Sequence, residues 1–148
     1  MKASGVLAVT LIAAFASDSA AQETRRYIDP ASVADSTALP FSGAVLVGNT
    51  LYLSGAIGLD EDQQVPATAE DEARNVLTRI RGRLEAAGMS MDDLVSVQVF
   101  CSDVAHYDVF NGIYRTFFTG DFPARAFLGS GTLLFGARFE VQGIAVRR

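Results

Sequence analysis

The chain has 148 residues, 49% hydrophobic and 20% charged, with a formal charge of −5, one cysteine and one histidine. This length holds one domain with a real core. The acidic balance disfavours a nucleic-acid surface, which needs clustered Lys and Arg against phosphate, and a single cysteine excludes an intrachain disulfide.

At the N-terminus, Lys2 precedes the short apolar run Val6 to Phe15 and the small residues Ser19-Ala20-Ala21. This pattern predicts a cleaved secretory signal over residues 1–21, cut after Ala21, with Ala14-Phe15-Ala16 as a second candidate site. The run is too short to span a bilayer as a stable helix, so no stable membrane insertion is expected after cleavage. An uncleaved anchor or a misassigned start is the alternative. Removal takes away one base, Lys2, and one acid, Asp18, and leaves the charge at −5. The expected location is periplasmic or secreted.

Residues 22–39 are polar and read as a lead-in segment in which Tyr27-Ile28 could add an edge strand. A single domain is expected over 40–148. Ala44 to Val47 and Thr50 to Ser54 flank Gly48-Asn49, a tight-hairpin signal. Gly55 and Gly58 then break the pattern, and Ser54-Gly55 marks either a bulge or a place for close approach by a ligand or backbone.

Thr68 with Asp71 predicts a helix start, followed by Ala73, Val76, Leu77, Ile80 and Leu84 at helical spacing and ended by Gly88. Arg74, Arg79, Arg81 and Arg83 alternate with Glu70, Asp71, Glu72 and Glu85, which reads as a solvated, salt-bridged face. Val95 to Cys101 alternates as a strand and places Cys101 with three valines, so a buried, inert thiol is expected. His106 has no second His or Cys beside it, which gives a metal site or a Cys-His dyad little support. A second helix is predicted from about Tyr107 to Phe118. Its stripe of Phe110, Ile113, Tyr114, Phe117 and Phe118 reads as core, and Asn111, taken alone, reads as a surface residue.

Two strand-like segments, 124–134 and 138–146, complete the chain, and each carries a charge in an apolar setting: Arg125 and Glu140. Such charges are costly unless paired or used. On spacing alone a structural ion pair is favoured over a catalytic site. The element order predicts an α/β (α+β) fold, a mixed sheet with two helices on one face. The other face, expected to carry Arg125, Glu140, Phe127 or Leu128 and Ile144, needs a partner surface.

Pro40-Phe41-Ser42-Gly43-Ala44-Val45 with Leu51-Tyr52-Leu53-Ser54-Gly55, then Asn111-Gly112-Ile113-Tyr114 with Phe117-Phe118, then Pro123-Ala124-Arg125 with Glu140 and Ile144-Ala145-Val146 follow the order of the Rid/YjgF family. The chain resembles that family from about Pro40 to its C-terminus. The resemblance implies a RidA-like, chorismate-mutase-like fold and a homotrimer around a central barrel with pockets at the subunit interfaces. It also implies an enamine/imine deaminase acting on small imino acids to give keto acids, with no cofactor and no metal. Arg125 then binds the substrate carboxylate and Glu140 the catalytic water, while Ser54 and Gly55 line the pocket and Asn111 stands near it.

The chemistry suits those residue types. A guanidinium holds a planar carboxylate bidentately, and a carboxylate can polarise a water towards a C=N carbon. Three departures from the family pattern stand out: Phe41 in place of a tyrosine, Ala56 in place of a glutamine and Phe127 in place of a cysteine. Phe41 and Phe127 are expected to make the pocket more apolar and to favour larger aliphatic or aromatic side chains. The loop between Phe118 and Pro123 is also shorter than in archetypal members. The alternative to an enzyme is a non-catalytic trimeric binding protein for small carboxylated metabolites. Ribonuclease activity is disfavoured by the acidic charge and the absence of a basic-aromatic patch, and nothing in the sequence speaks for a purely structural trimer.

Overall fold

The computed structural model describes residues 24–148, so the signal read over residues 1–21 lies outside the described residues. The first strands are β1 (Arg25–Ile28), β2 (Ala44–Val47) and β3 (Thr50–Ile57), followed by helix α1 (Ala69–Ala86) and β4 (Leu94–Cys101). Helix α2 (Tyr107–Arg115), β5 (Ala124–Gly129) and β6 (Phe139–Val146) complete the fold. The strands form one sheet in the order β1-β2-β3-β6-β4-β5, with β4 and β5 parallel and every other neighbouring pair antiparallel. This is the expected mixed α+β sheet, and Arg25–Ile28 pairs with β2 as an edge strand.

Local chemistry explains the principal elements. Gly48 takes φ 56°, the left-handed turn that joins β2 to β3. The Thr68 side chain accepts from the Asp71 N–H to start α1. At its other end Gly88, at φ 73°, lets its own N–H reach the Glu85 carbonyl and the Met89 N–H reach the Leu84 carbonyl. Val76, Leu77, Ile80 and Leu84 of α1 and Phe110 of α2 are buried with Leu51, Val99, Phe139 and Val141 of the sheet. No helix among the described residues is long and apolar enough to cross a membrane.

Four expectations need correction. Strand β3 does not stop at Gly55 but runs to Ile57 through a bulge, where the register moves from Leu53–Gly143 to Ala56–Val141. Helix α2 ends at Arg115 rather than Phe118, because the Thr116 hydroxyl turns back to donate to the Ile113 carbonyl at 2.7 Å. Strand β5 ends at Gly129, and left-handed Gly131 turns the chain soon after. Glu72 is not on a solvated face: it is fully buried. Its Oε1 accepts from the backbone N–H groups of Arg138 (2.6 Å) and Phe139 (3.0 Å), and its Oε2 accepts from Arg138 Nη1 (2.7 Å).

Both helices cover the same sheet face. The opposite face exposes Tyr52, Leu128, Ile144 and Val146, the uncovered apolar surface that the element count implied. Arg125 and Phe127 do not belong to it. Residues alternate along a strand, and in β5 these two turn towards α2 while Ala124, Ala126 and Leu128 are exposed. Cys101 is buried beside Val97 and Val99, and burial pushes its thiol pKa up, but a register shift leaves Val95 exposed.

Candidate active site

Arg125 stands second in β5, the edge strand entered through Pro123, which has no N–H to leave unpaired. Its Nη2 donates to Asn111 Oδ1 at 2.6 Å, and its guanidinium carbon lies 4.5 Å from the Tyr114 ring centroid and 5.8 Å from that of Phe127. Asn111 and Tyr114 are three residues apart on α2 and so share the face presented to β5. One contact fixes an edge of the guanidinium and the other supports its plane.

The Tyr114 hydroxyl is buried without a hydrogen-bond partner among the described residues. Burial pushes its pKa up to about 12, against the opposing effect of Arg125. Beside these groups lies a cavity of about 260 Å³ lined by Asn111, Tyr114, Arg115, Phe122, Pro123 and Arg125. Among the described residues Arg125 has no ion-pair partner. The remaining N–H groups of its fork are therefore available for a planar anion.

Glu140 occupies a different place. It pairs in register with Ile57 of β3 and Phe100 of β4, and its neighbours Phe139 and Val141 are buried under the helices. Its side chain consequently projects from the opposite face. It leans over the β3 bulge, where a Cβ added at Gly55 would sit 2.1 Å from Glu140 Oε1. Gly55 is the residue that leaves room for the carboxylate. Ser54 beside it donates its hydroxyl to the Ser42 carbonyl at 2.7 Å, and its own carbonyl accepts from Arg83 at 3.1 Å. Glu140 also lacks an ion-pair partner among the described residues.

One chain thus gathers the sequence-selected residues into two groups. Asn111 joins Arg125, with Phe127 alongside, and Ser54 and Gly55 join Glu140. Arg125 and Glu140 sit two strands apart, on the order of 10 Å across the sheet, three registers apart along β4 and on opposite faces. The ion pair favoured on spacing alone is therefore absent within the chain. Phe127 packs edge-on against Tyr107 at 5.0 Å and Phe110 at 5.6 Å, so it belongs to the core rather than to the cavity wall. Phe41 is half-exposed in the loop before β2, where it lines a separate surface cavity with neighbours from residues 31–42. The more apolar pocket expected from these two rings is not formed within one chain.

Tyr114, Arg115 and Phe122 were not anticipated as site residues. The spacing of Asn111, Tyr114 and Arg115 (i, i+3, i+4) is the signal that marks one helix face. Among the described residues no group of three or more His, Cys, Asp and Glu side chains could hold a metal ion.

Comparison with known proteins adds the family context. The family model described as Endoribonuclease L-PSP matches residues 32–147. A 2-iminobutanoate/2-iminopropanoate deaminase of Bos taurus is 38% identical over 110 residues, 73% of this chain and 80% of the relative. The YjgF gene product of E. coli is 34% identical with a TM-score of 0.70, over 74% of this chain and 89% of that one. E. coli TdcF, solved with bound serine, is 28% identical with a TM-score of 0.72, over 74% of this chain and 90% of that one.

Proposed function

Because the chain belongs to the Rid/YjgF family, also described as Endoribonuclease L-PSP, we propose that it is an enamine/imine deaminase hydrolysing 2-imino acids to 2-keto acids and ammonium. The observation that carries this reading is the Arg125 guanidinium, held by Asn111 and Tyr114 beside an open cavity and with no acidic partner among the described residues. A 2-imino acid offers that fork its carboxylate, and two parallel hydrogen bonds then orient the C=N carbon. Glu140 holds a water and accepts its proton as the oxygen adds to that carbon. The C–N bond then breaks, the proton passes to the departing nitrogen, and ammonium leaves with a carbonyl in its place. Placement supplies most of the acceleration, so neither a cofactor nor a covalent intermediate is needed. Serine bound to TdcF, a relative of the same fold, supports the choice of a carboxylate-bearing small molecule.

Since Arg125 and Glu140 face opposite ways in one chain, a single substrate can meet both only between two copies. The uncovered apolar face supplies a surface for such packing, and a homotrimer with interfacial pockets meets both requirements. Freshly generated imino acids, trapped as semicarbazones, should decay faster with the mature protein and not with Arg125→Ala. Mixed oligomers of Arg125→Ala and Glu140→Gln should regain part of the activity, because some interfaces then contain one intact residue of each kind. Failure of the unmodified protein to consume any imine would refute the enzyme.

Carboxylate binding without chemistry is the second reading, favoured by one feature: the clamp around Arg125 is complete without Glu140. Keto-acid binding with no imine turnover would select it. Ribonuclease activity finds little support in a chain of formal charge −5. The N-terminal signal would deliver the protein to the periplasm or the medium. A mature protein beginning at Gln22 supports that placement, and one beginning at Met1 refutes it.

A further inference from the structure

Two guanidinium groups line the cavity beside α2. Arg115 is the last residue of the helix, and its guanidinium carbon lies 5.7 Å from the Phe122 ring centroid. Phe122 stacks on Tyr114 at 6.1 Å and 27°, and the Tyr114 ring carries the Arg125 guanidinium at 4.5 Å. The two cations therefore flank one aromatic pair and open onto the same space. Neither has an ion-pair partner among the described residues, and no lining residue is acidic. The carboxylate common to all 2-imino acids accounts for Arg125. It leaves Arg115 unanswered, and two like charges at one cavity are relieved by a second anion.

We propose that Arg115 is a second anion anchor and that the preferred substrates are 2-imino dicarboxylates, the imines of acidic amino acids. The α-carboxylate lies on Arg125 and the side-chain carboxylate on Arg115. This inference rests on the deaminase reading of the same site. It departs from the preference for apolar side chains expected from Phe41 and Phe127, neither of which lines this cavity within one chain. The chemistry is unchanged: a C–O bond forms at the imine carbon, the C–N bond breaks, nitrogen leaves as ammonium and both carboxylates persist. Arg115 stays protonated throughout and transfers nothing.

The test compares kcat/KM for the imine of alanine with that for the imines of aspartate and glutamate, at one fixed ionic strength because exposed charges are screened. The unmodified protein should prefer the dicarboxylates by about tenfold, or ~1.4 kcal/mol. In Arg115→Gln that ratio should fall to near one, and Arg115→Lys should recover part of it. Equal rates in the unmodified protein, or an unchanged ratio in Arg115→Gln, would overturn the proposal and leave Arg115 as a charge complementing the helix C-terminus. Calorimetry with pyruvate and 2-oxoglutarate separates the two levels of inference. If no imine is consumed the deaminase reading fails, yet tighter 2-oxoglutarate binding that depends on Arg115 upholds the anchor, and equal binding of the two refutes it.

Discussion

Replacing Glu72 with leucine removes a buried charge that ties α1 to the start of β6. Its carboxylate satisfies two backbone N–H groups through Oε1 and the Arg138 guanidinium through Oε2, at 2.6 to 3.0 Å. Breaking a buried pair by removing one partner costs about 3–5 kcal/mol, and an orphaned buried N–H costs about 1–3 kcal/mol. These terms overlap. Arg138 also keeps its bonds to the Pro66 and Ala67 carbonyls at 2.9 and 3.2 Å and remains partly solvated. The net loss for Glu72→Leu should therefore be about 3–4 kcal/mol, a large share of the ~5–15 kcal/mol that holds a domain together.

Glu72→Gln keeps an acceptor where Oε1 stands, so both backbone N–H groups stay paired. It loses the charge and sets an NH2 donor against Arg138 Nη1 in place of the Oε2 acceptor, so about 2 kcal/mol is expected. Removing Arg138 as well should recover part of the leucine penalty, because no charge is then stranded. Urea unfolding at fixed protomer concentration reads these differences as shifts in midpoint at constant slope. A Glu72→Leu protein within about 1 kcal/mol of the parent, or a glutamine variant as damaged as the leucine one, would refute the reasoning.

Two glycine substitutions should separate function from stability. Alanine at Gly55 puts its Cβ 2.1 Å from Glu140 Oε1, the movable end of a side chain. Imine turnover should drop while Tm stays within about 4 °C of the parent, and unaltered turnover would show that the Glu140 position does not matter. Alanine at Gly58 meets backbone instead, the Glu72 carbonyl oxygen at 2.1 Å and the Val76 nitrogen at 3.0 Å. Here α1 must move off β3, and a loss of about 2–3 kcal/mol is expected in the same unfolding assay; stability equal to that of Gly55→Ala would contradict it. Tyr114 gives a pH signature. Its phenol holds its proton up to about 12 in the fold but only to about 10 in the unfolded chain, so stability falls as pH rises through that window. Thermal unfolding between pH 10 and 12 should show this decline in the parent and not in Tyr114→Phe.

Features written in local chemistry were legible in the sequence: the turn at Gly48, the Thr68 cap, the apolar stripe of α1 and its glycine ending. The facing of Arg125 was not. Apolar residues stand on both faces of β5, Phe127 against α2 and Ala124, Ala126 and Leu128 on the surface awaiting a partner, so alternation carried no polarity signal. Glu72 was hidden for another reason. Its partner is 66 residues away, and a run of neighbouring charges made it look like part of a solvated face. Asn111 could be selected only through the family resemblance, since its value lies in a hydrogen bond to a strand 14 residues later. Of the two open readings at Ser54-Gly55 the bulge is the one found, and what stands close to Gly55 is the Glu140 side chain rather than a ligand or another backbone.

The opposed facing of Arg125 and Glu140 has a physical logic of its own. A guanidinium and a carboxylate that could meet within one chain would pair, and each would then be withdrawn from substrate or water. Sheet alternation prevents that without any further device: three registers and two strands set the groups apart, and the sheet lies between them. The face that carries Glu140 also bears an exposed apolar set, Tyr52, Ile144 and Val146, beyond the hydrogen-bonded Gln142–Gln98 pair. In the proposed trimer, burying that face would drive assembly and bring one chain's carboxylate towards a neighbour's guanidinium, with the cavity between them for a substrate. Catalytic competence would then follow from association, and the same apolar residues that make an isolated chain unfavourable in water would be the ones that complete the site.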